Sequence, residues 1–197
     1  MTGRSDTPDL VAVIGSATPP GRLHRAVTEA LGRAAERRSA ATRLIDLGTV
    51  AIAAADGRPA EALGDDTAGV IEAIAAARAV ALATPIYRGS LTGTLKNLLD
   101  HLPVPALRDT PVAIVAMGAS DHHYLGAERH LRDILSFFGA IPVPTAAYLT
   151  SADFADGVPG ERAAGELDAA LDAALALAAA LDGVPPLGPA PLTERPR

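Results

Sequence analysis

Three short stretches of this chain carry side chains whose types and spacing could do chemistry. The first is Gly15-Ser-Ala-Thr-Pro-Pro-Gly-Arg22, which sets the hydroxyls of Ser16 and Thr18 and the guanidinium of Arg22 just ahead of a segment with helical periodicity. Two hydroxyls, a cation and the free amides of a helix start are the parts from which a terminal-phosphate site is built. The stretch is neither a G-x-G-x-x-G fingerprint nor a P-loop, because no second glycine follows at the right spacing and no Lys-Ser/Thr follows Gly21. The same residues also suit an ordinary strand-to-helix turn whose Ser and Thr cap the helix. The local sequence leaves both readings open.

The second stretch, Thr84-Pro-Ile-Tyr-Arg-Gly-Ser90, separates a buried apolar run from an amphipathic one. Pro85 and Gly89 set its backbone, Tyr87 supplies a flat face and Arg88 a charge, so a planar aromatic ligand could lie along residues 85 to 90. The alternative is a plain turn with Tyr87 on the surface or in a subunit contact. The third stretch is Gly118-Ala-Ser-Asp-His-His-Tyr124, where small residues let backbone amides approach a ligand closely. Its Asp121, His122 and His123 raise the question of a metal. Adjacent side chains on a loop rarely converge, and His123 with His130 would have to bridge two helical turns, so no metal is expected. Asp46 stands where a Rossmann protein carries its ribose-binding acid. Without the glycine fingerprint it reads instead as a cap or a loop hydrogen-bonding group.

The elements that must hold these loops alternate strand and helix. Leu10–Ile14, Thr42–Leu47, Ala79–Ala83, Pro111–Met117 and Ile141–Tyr148 read as strands. Pro142 and Pro144 lack ladder donors and send the last of these to an edge. Apolar periodicity puts helices over 21–38, about 66–78, 91–102, from Tyr124 to Phe138, and 163–181. Continuously apolar strands separated by helices imply a parallel sheet covered on both faces. The expected fold is α/β, a flavodoxin-like three-layer sandwich with a five-stranded parallel sheet of order 2-1-3-4-5, whose ligands bind beyond the ends of strands 1 and 3. Residues 1–182 are expected to form one domain. Residues 183–197, with five prolines and two glycines, are expected to form a tail.

Composition narrows the chemistry further. The 197 residues contain no cysteine, which removes disulfides, thiolate nucleophiles and ordinary iron–sulfur clusters. Any redox work must therefore come from a bound organic cofactor. A net charge of −6 and a pI near 5.3 argue against nucleic acid or an anionic membrane as partner. No apolar run is long enough to span a bilayer and no leader pattern is seen, so a cytoplasmic protein is expected.

Taken together, the loops resemble the NADPH-dependent FMN reductase family of flavodoxin-like proteins, and most of all the reductases of two-component alkanesulfonate monooxygenase systems. "ATPIYRGSLTGTLKNLLDHLP" is similar to that family's A-T-P-x-Y-x-x-S-x-x-G-x-L-K-x-x-L-D signature, "VIGSATPPGR" to its phosphate loop, and "VAMGASDHHYLGAERHLRDIL" to its third flavin loop and following helix. Leu23, His24 and Ala119 depart from the Ser, Asn and Gly frequent there.

The resemblance implies FMN phosphate at Ser16, Thr18, Gly21 and Arg22. It implies the ribityl chain and ring along Pro85, Ile86, Tyr87, Arg88 and Ser90, and the polar ring edge at Gly118, Ala119, Ser120 and His123. It implies NADPH or NADH as reductant, a possible flavin-dependent monooxygenase partner, and a homodimer or homotetramer. Lys96 matches the signature but can equally pair with Asp100 one turn on. A flavodoxin-type electron carrier and a quinone or azo reductase using bound FMN are the alternatives. The hydroxyl-poor, arginine-bearing phosphate loop and modest acidity favour a reductase over a carrier.

Overall fold

In the computed structural model, which describes residues 7–18 and 20–189, thirteen strands and helices follow one another. They are β1 (Leu10–Ile14), α1 (Arg22–Arg38), β2 (Thr42–Asp46), α2 (Thr67–Ala76), β3 (Ala79–Pro85), α3 (Gly93–His101), β4 (Pro111–Met117), α4 (Tyr124–Phe138), β5 (Ile141–Pro142), β6 (Ala147–Leu149), β7 (Phe154–Ala155), β8 (Val158–Pro159) and α5 (Glu161–Ala180). The main sheet is parallel with order β2-β1-β3-β4-β5, as the alternation predicts, and β6 also pairs with β4. Residues 190–197 of the expected tail lie outside the described residues. Its earlier part folds back far enough for the Leu187 amide to donate to Asp109 Oδ1.

Strand alternation splits the core into two layers. Leu10, Ala12 and Ile14 of β1, with Ala79, Ala81 and Ala83 of β3, face α1 and α5. Val11 and Val13, with Val80 and Leu82, face α2, α3 and α4. The first layer is built mostly of alanine, which lets α1 and α5 lie close, and their outer edges are joined by ion pairs. Arg33 and Arg37 both reach Asp168, at 2.9 and 3.0 Å, and Arg37 also reaches Asp172 at 3.1 Å. The leucine face of α3 is part of the second layer: Leu95, Leu98, Leu99 and Leu102 are all buried in the core. They therefore present no apolar surface to another subunit. Tyr124, at the head of α4, is half exposed although the periodicity set it on the core face.

The fifth strand is not the continuous Ile141–Tyr148 run that the sequence predicts. Val112 of β4 faces Pro142, and Val115 faces Ala147, so the edge advances five residues where β4 advances three. Pro142 and Pro144 cannot donate to the ladder and the intervening backbone bulges outward. Arg132 of α4, held by Glu128, donates to the freed carbonyls of Val143 and Pro144 at 2.8 and 2.9 Å. A two-stranded antiparallel hairpin of β7 and β8 then leads into α5. Its two-residue strands are too short for the pattern to show.

Two buried threonines tie the carboxyl ends of the strands to α3. Thr92 Oγ1 caps α3 by accepting from the Leu95 amide and itself donates to the carbonyl of Gly15. The Thr92 amide donates to Thr84 Oγ1, which donates to the Pro85 carbonyl. Thr92→Val should cost about 2–3 kcal/mol of stability, the sum of a lost cap and an unpaired buried carbonyl. Thr92→Ser should retain most of it, as chemical denaturation of both variants will test.

Candidate functional site

β3 and β4 end level, Pro85 opposite Met117, and β1 ends two residues earlier, with Ile14 opposite Ala83. The loops leaving those ends therefore meet, and between them lies a cleft of about 310 Å³ floored by Ile14 and Met117. Ser16, Thr18, Gly21 and Arg22 of the first loop line it, and Pro85 and Tyr87 of the second close the other side.

Within the first loop, Ser16 Oγ and Thr18 Oγ1 are hydrogen-bonded at 2.8 Å. Neither caps the helix: the N-cap of α1 is Gly21, and no side chain bonds there. The capping alternative for Ser16 and Thr18 thus does not describe this loop. Arg22 is the first residue of α1. One of its terminal guanidinium nitrogens donates to Ser151 Oγ at 3.0 Å, and its guanidinium lies 5.6 Å from the ring centre of Phe154. The turn that brings Ser151 and Phe154 there is held by Asp153, which accepts from the amide and hydroxyl of Thr150 and pairs with Arg162. Burial works to raise the Asp153 carboxyl, but these bonds prevail and hold it below the usual carboxylate range. Asp46 also lines the cleft, accepting from the Gly48 amide at 2.9 Å and standing 3.5 Å from His24 Nε2. It is a loop-ordering acid, as its sequence context indicates.

Tyr87 and Ser90 exchange backbone hydrogen bonds of 3.0 and 3.2 Å. Arg88 and Gly89 between them have φ of +54° and +78°, the backbone sense of a two-residue type I′ turn. Tyr87 is thereby held out over the cleft, 54% exposed. Helix α4 buttresses the turn from behind. A Cβ on Gly126 would lie 2.6 Å from the Gly89 carbonyl oxygen, so only glycine allows this approach. Ser90 Oγ is hydrogen-bonded to His130 Nδ1 at 2.7 Å. Lys96, at the far end of the signature, is paired with Asp100.

In the third loop the Gly118 amide donates to the Leu149 carbonyl, and the Tyr148 hydroxyl donates to the Ser120 carbonyl at 2.6 Å. Burial, and then the Asp121 carboxylate, push the Tyr148 phenol above its ordinary value, which keeps it a donor. A Cβ on Gly118 would lie 2.0 Å from that hydroxyl. Ser120 Oγ is 3.4 Å from His123 Nδ1. Six of the predicted site residues thus share one cleft. Ile86, Arg88, Gly118, Ala119 and Ser120 belong to the second and third loops but do not line the cleft, and Ser90 lines a neighbouring groove with Lys96 and His130. His123 lines a different cavity, on the Gly89 side of the turn. Among the described residues no three His, Asp or Glu side chains are placed to hold a metal ion.

The model of the family described as NADPH-dependent FMN reductase matches residues 8–155, three quarters of the chain. The chain belongs to that family. Among relatives, an NADH-dependent FMN reductase, SfnF, of Pseudomonas fluorescens is 35% identical over 147 residues, covering 75% of this chain and 79% of its own. An NADPH-using FMN reductase of Pseudomonas aeruginosa is 36% identical over 150 residues, with 74% and 78% covered. A solved apo structure of an NADH:FMN oxidoreductase superposes with a TM-score of 0.74 at 26% identity, over 86% of this chain and 89% of that one. An archaeal flavodoxin, 12% identical with a TM-score of 0.59 over 85% of this chain and 97% of that one, shares the fold.

Sequence reasoning missed the residues that support the FMN reductase loops from elsewhere in the chain. Thr92 could have been read as a helix cap. Tyr148, Ser151 and Phe154 come from beyond the signature and have no local mark. For Tyr148 the contact can be tested directly. Gly118→Ala should destabilise the protein by about 1–3 kcal/mol through overpacking. Adding Tyr148→Phe should recover part of that loss, because it removes the clashing oxygen. Thermal unfolding of the double-mutant cycle tests this coupling, and purely additive effects would show that the two residues do not touch.

Proposed function

We propose that this chain reduces FMN with NADPH or NADH and releases the reduced flavin to a partner monooxygenase. As a member of its family it is an NAD(P)H:flavin oxidoreductase. The observation that supports the reading most is the convergence of two hydroxyls, a guanidinium and an uncapped helix start on one wall of a cleft, opposite the Pro85–Tyr87 wall.

That donor set fits FMN. Ser16, Thr18 and Arg22, with the first amides of α1, would hold its phosphate. Pro85, Ile86, Tyr87, Arg88 and Ser90 would flank the ribityl chain and ring. Gly118, Ala119 and Ser120 would bring backbone to the polar edge of the ring, with His123 near it. The bound flavin supplies the hydride acceptor for the reduced nicotinamide. The chain's own part is orientation and charge: the turn held by Gly126 fixes Tyr87, and Tyr148 fixes the backbone of Gly118–Ser120.

Release of the product is supported by the same geometry. Arg22 is shared with Ser151 and Phe154, so the phosphate gains only part of its bonding capacity. A flavin held that loosely exchanges as a substrate, whereas a carrier must retain it. Half-exposed Tyr87, Tyr124 and Phe137 supply apolar surface for a homodimer or homotetramer. Among the described residues no helix is long and apolar enough to cross a membrane, and we propose a cytoplasmic location.

The pure protein should oxidise NADPH or NADH only when FMN is added. Tight FMN binding without reduction by either nucleotide would favour the carrier. FMN should also bind better than riboflavin. Arg22→Ala should reduce that preference about 10- to 100-fold, the range for loss of one charge-assisted hydrogen bond. Fluorescence titration of both flavins measures it, and equal affinities in the wild type would exclude a phosphate site at Gly15–Arg22.

A further inference from the structure

The Tyr87–Ser90 turn has a second cavity on its other side. It measures about 360 Å³, and Gly89 and Gly126 form its floor where α4 meets the turn. Its side chains are His122, His123, Tyr124, Leu125, Arg129 and His130, with no carboxylate among them. In a chain of net charge −6 the cavity thus sets the Arg129 guanidinium among three imidazoles, away from any lining carboxylate. Of the nearby acids, Asp121, next to His122 in the chain, lies close enough to the Tyr148 phenol to add to burial in raising its pKa. Glu128 is paired with Arg132, and Asp133 faces the neighbouring groove beside Lys96. His130 is fixed by Ser90, and His123 lies beside Ser120. The side chains of His122 and Arg129 make no hydrogen bond or ion pair with another described residue. Arg88, in the turn itself, is likewise exposed and without such a partner among the described residues.

We propose that this cavity binds a phosphate group of the pyridine dinucleotide, with Arg129 as its principal contact and His122 as its second. The inference rests on the flavin-reductase reading, in which one ligand lies on the Tyr87 side of the turn. A dinucleotide that reaches the same turn from the Gly89 side brings its phosphates to the wall that carries Arg129, whose guanidinium has no partner among the described residues. A guanidinium with free donors and an imidazole within one cavity match the geometry and charge of a phosphate ester. A small acceptor such as a quinone has no use for them. The phosphate can be the 2′-phosphate found in NADPH alone or the pyrophosphate shared with NADH, and these make different predictions.

The test combines binding and turnover in the full chain. Adenosine 2′,5′-bisphosphate and adenosine 5′-diphosphate are titrated calorimetrically into wild type, Arg129→Ala and His122→Ala, with FMN titration as the check that each variant is folded. The kcat/KM values for NADPH and NADH are then measured with added FMN. If the 2′-phosphate sits here, Arg129→Ala weakens the bisphosphate about tenfold or more and lowers the NADPH-to-NADH ratio of kcat/KM by a similar factor, as expected for one charge-assisted bond. If the pyrophosphate sits here, both probes weaken and both kcat/KM values fall together. His122→Ala moves the same quantities less, and Arg129→Lys restores part of them. Probes that bind wild type and Arg129→Ala equally, or do not bind wild type at all, overturn the proposal. The titrations need no turnover, so loss of the flavin-reductase reading itself would be seen separately, as absence of FMN-dependent nucleotide oxidation.

Discussion

The site stands on the bond from the Thr92 hydroxyl to the Gly15 carbonyl. Gly15 is the last residue before the first loop, and a Cβ there would lie 2.7 Å from Leu95 Cβ, so the loop leaves β1 in direct contact with α3. The Gly15 amide is used by Ala83 of β3, and its carbonyl by Thr92. Through Thr84, the same threonine fixes Pro85 and the exit of β3. First and second loops are thus set relative to one another by buried groups that leave no polar atom free to wander. A polar link inside a core is costly unless satisfied, and here each member has its partner. The precision of the cleft follows from that satisfaction rather than from the loops themselves, which are largely exposed.

Charge is distributed to the same end. Arg22 and His24 follow one another around the first turn of α1, and both are engaged from outside the helix: Arg22 by Ser151 and Phe154, His24 by Asp46. Arg22 is oriented by contacts that leave other guanidinium donors free at the cleft. On the function proposed above, a ligand phosphate would meet groups already in place. It would also compete with their existing partners, at a cost in affinity.

Much of this was legible in the sequence, and the reasons are physical. Parallel strands buried on both faces must be apolar throughout, so Leu10–Ile14, Ala79–Ala83 and Pro111–Met117 stand out, and the crossover rule leaves little freedom in their order. Strand ends then fix where Ser16, Pro85 and Tyr87 come together. The signature around Thr84–Asp100 marked the second loop because its turn needs Gly89 and its helix needs a threonine cap. What could not be read were contacts between residues distant in the chain. Tyr148 over Gly118 and Phe154 under Arg22 depend on where the edge strand ends, and a two-residue bulge there shifts every later side chain. The leucine face of 91–102 is legible as a covered face, but amphipathicity alone does not say what covers it, and here it is the sheet of the same chain.

The bulge between β5 and β6 has a consequence for how copies of this chain can meet. An open sheet edge is a template for strand addition, in fibrils and in edge-to-edge dimers alike. Here Pro142 and Pro144 remove donors, the backbone kinks out of register, and Arg132 takes up the carbonyls of Val143 and Pro144. The ladder is thus broken at its midpoint along β4's open side. Growth of the sheet across this border is blocked, and any assembly on that side must dock through helices and loops, where side chains rather than backbone choose the partner.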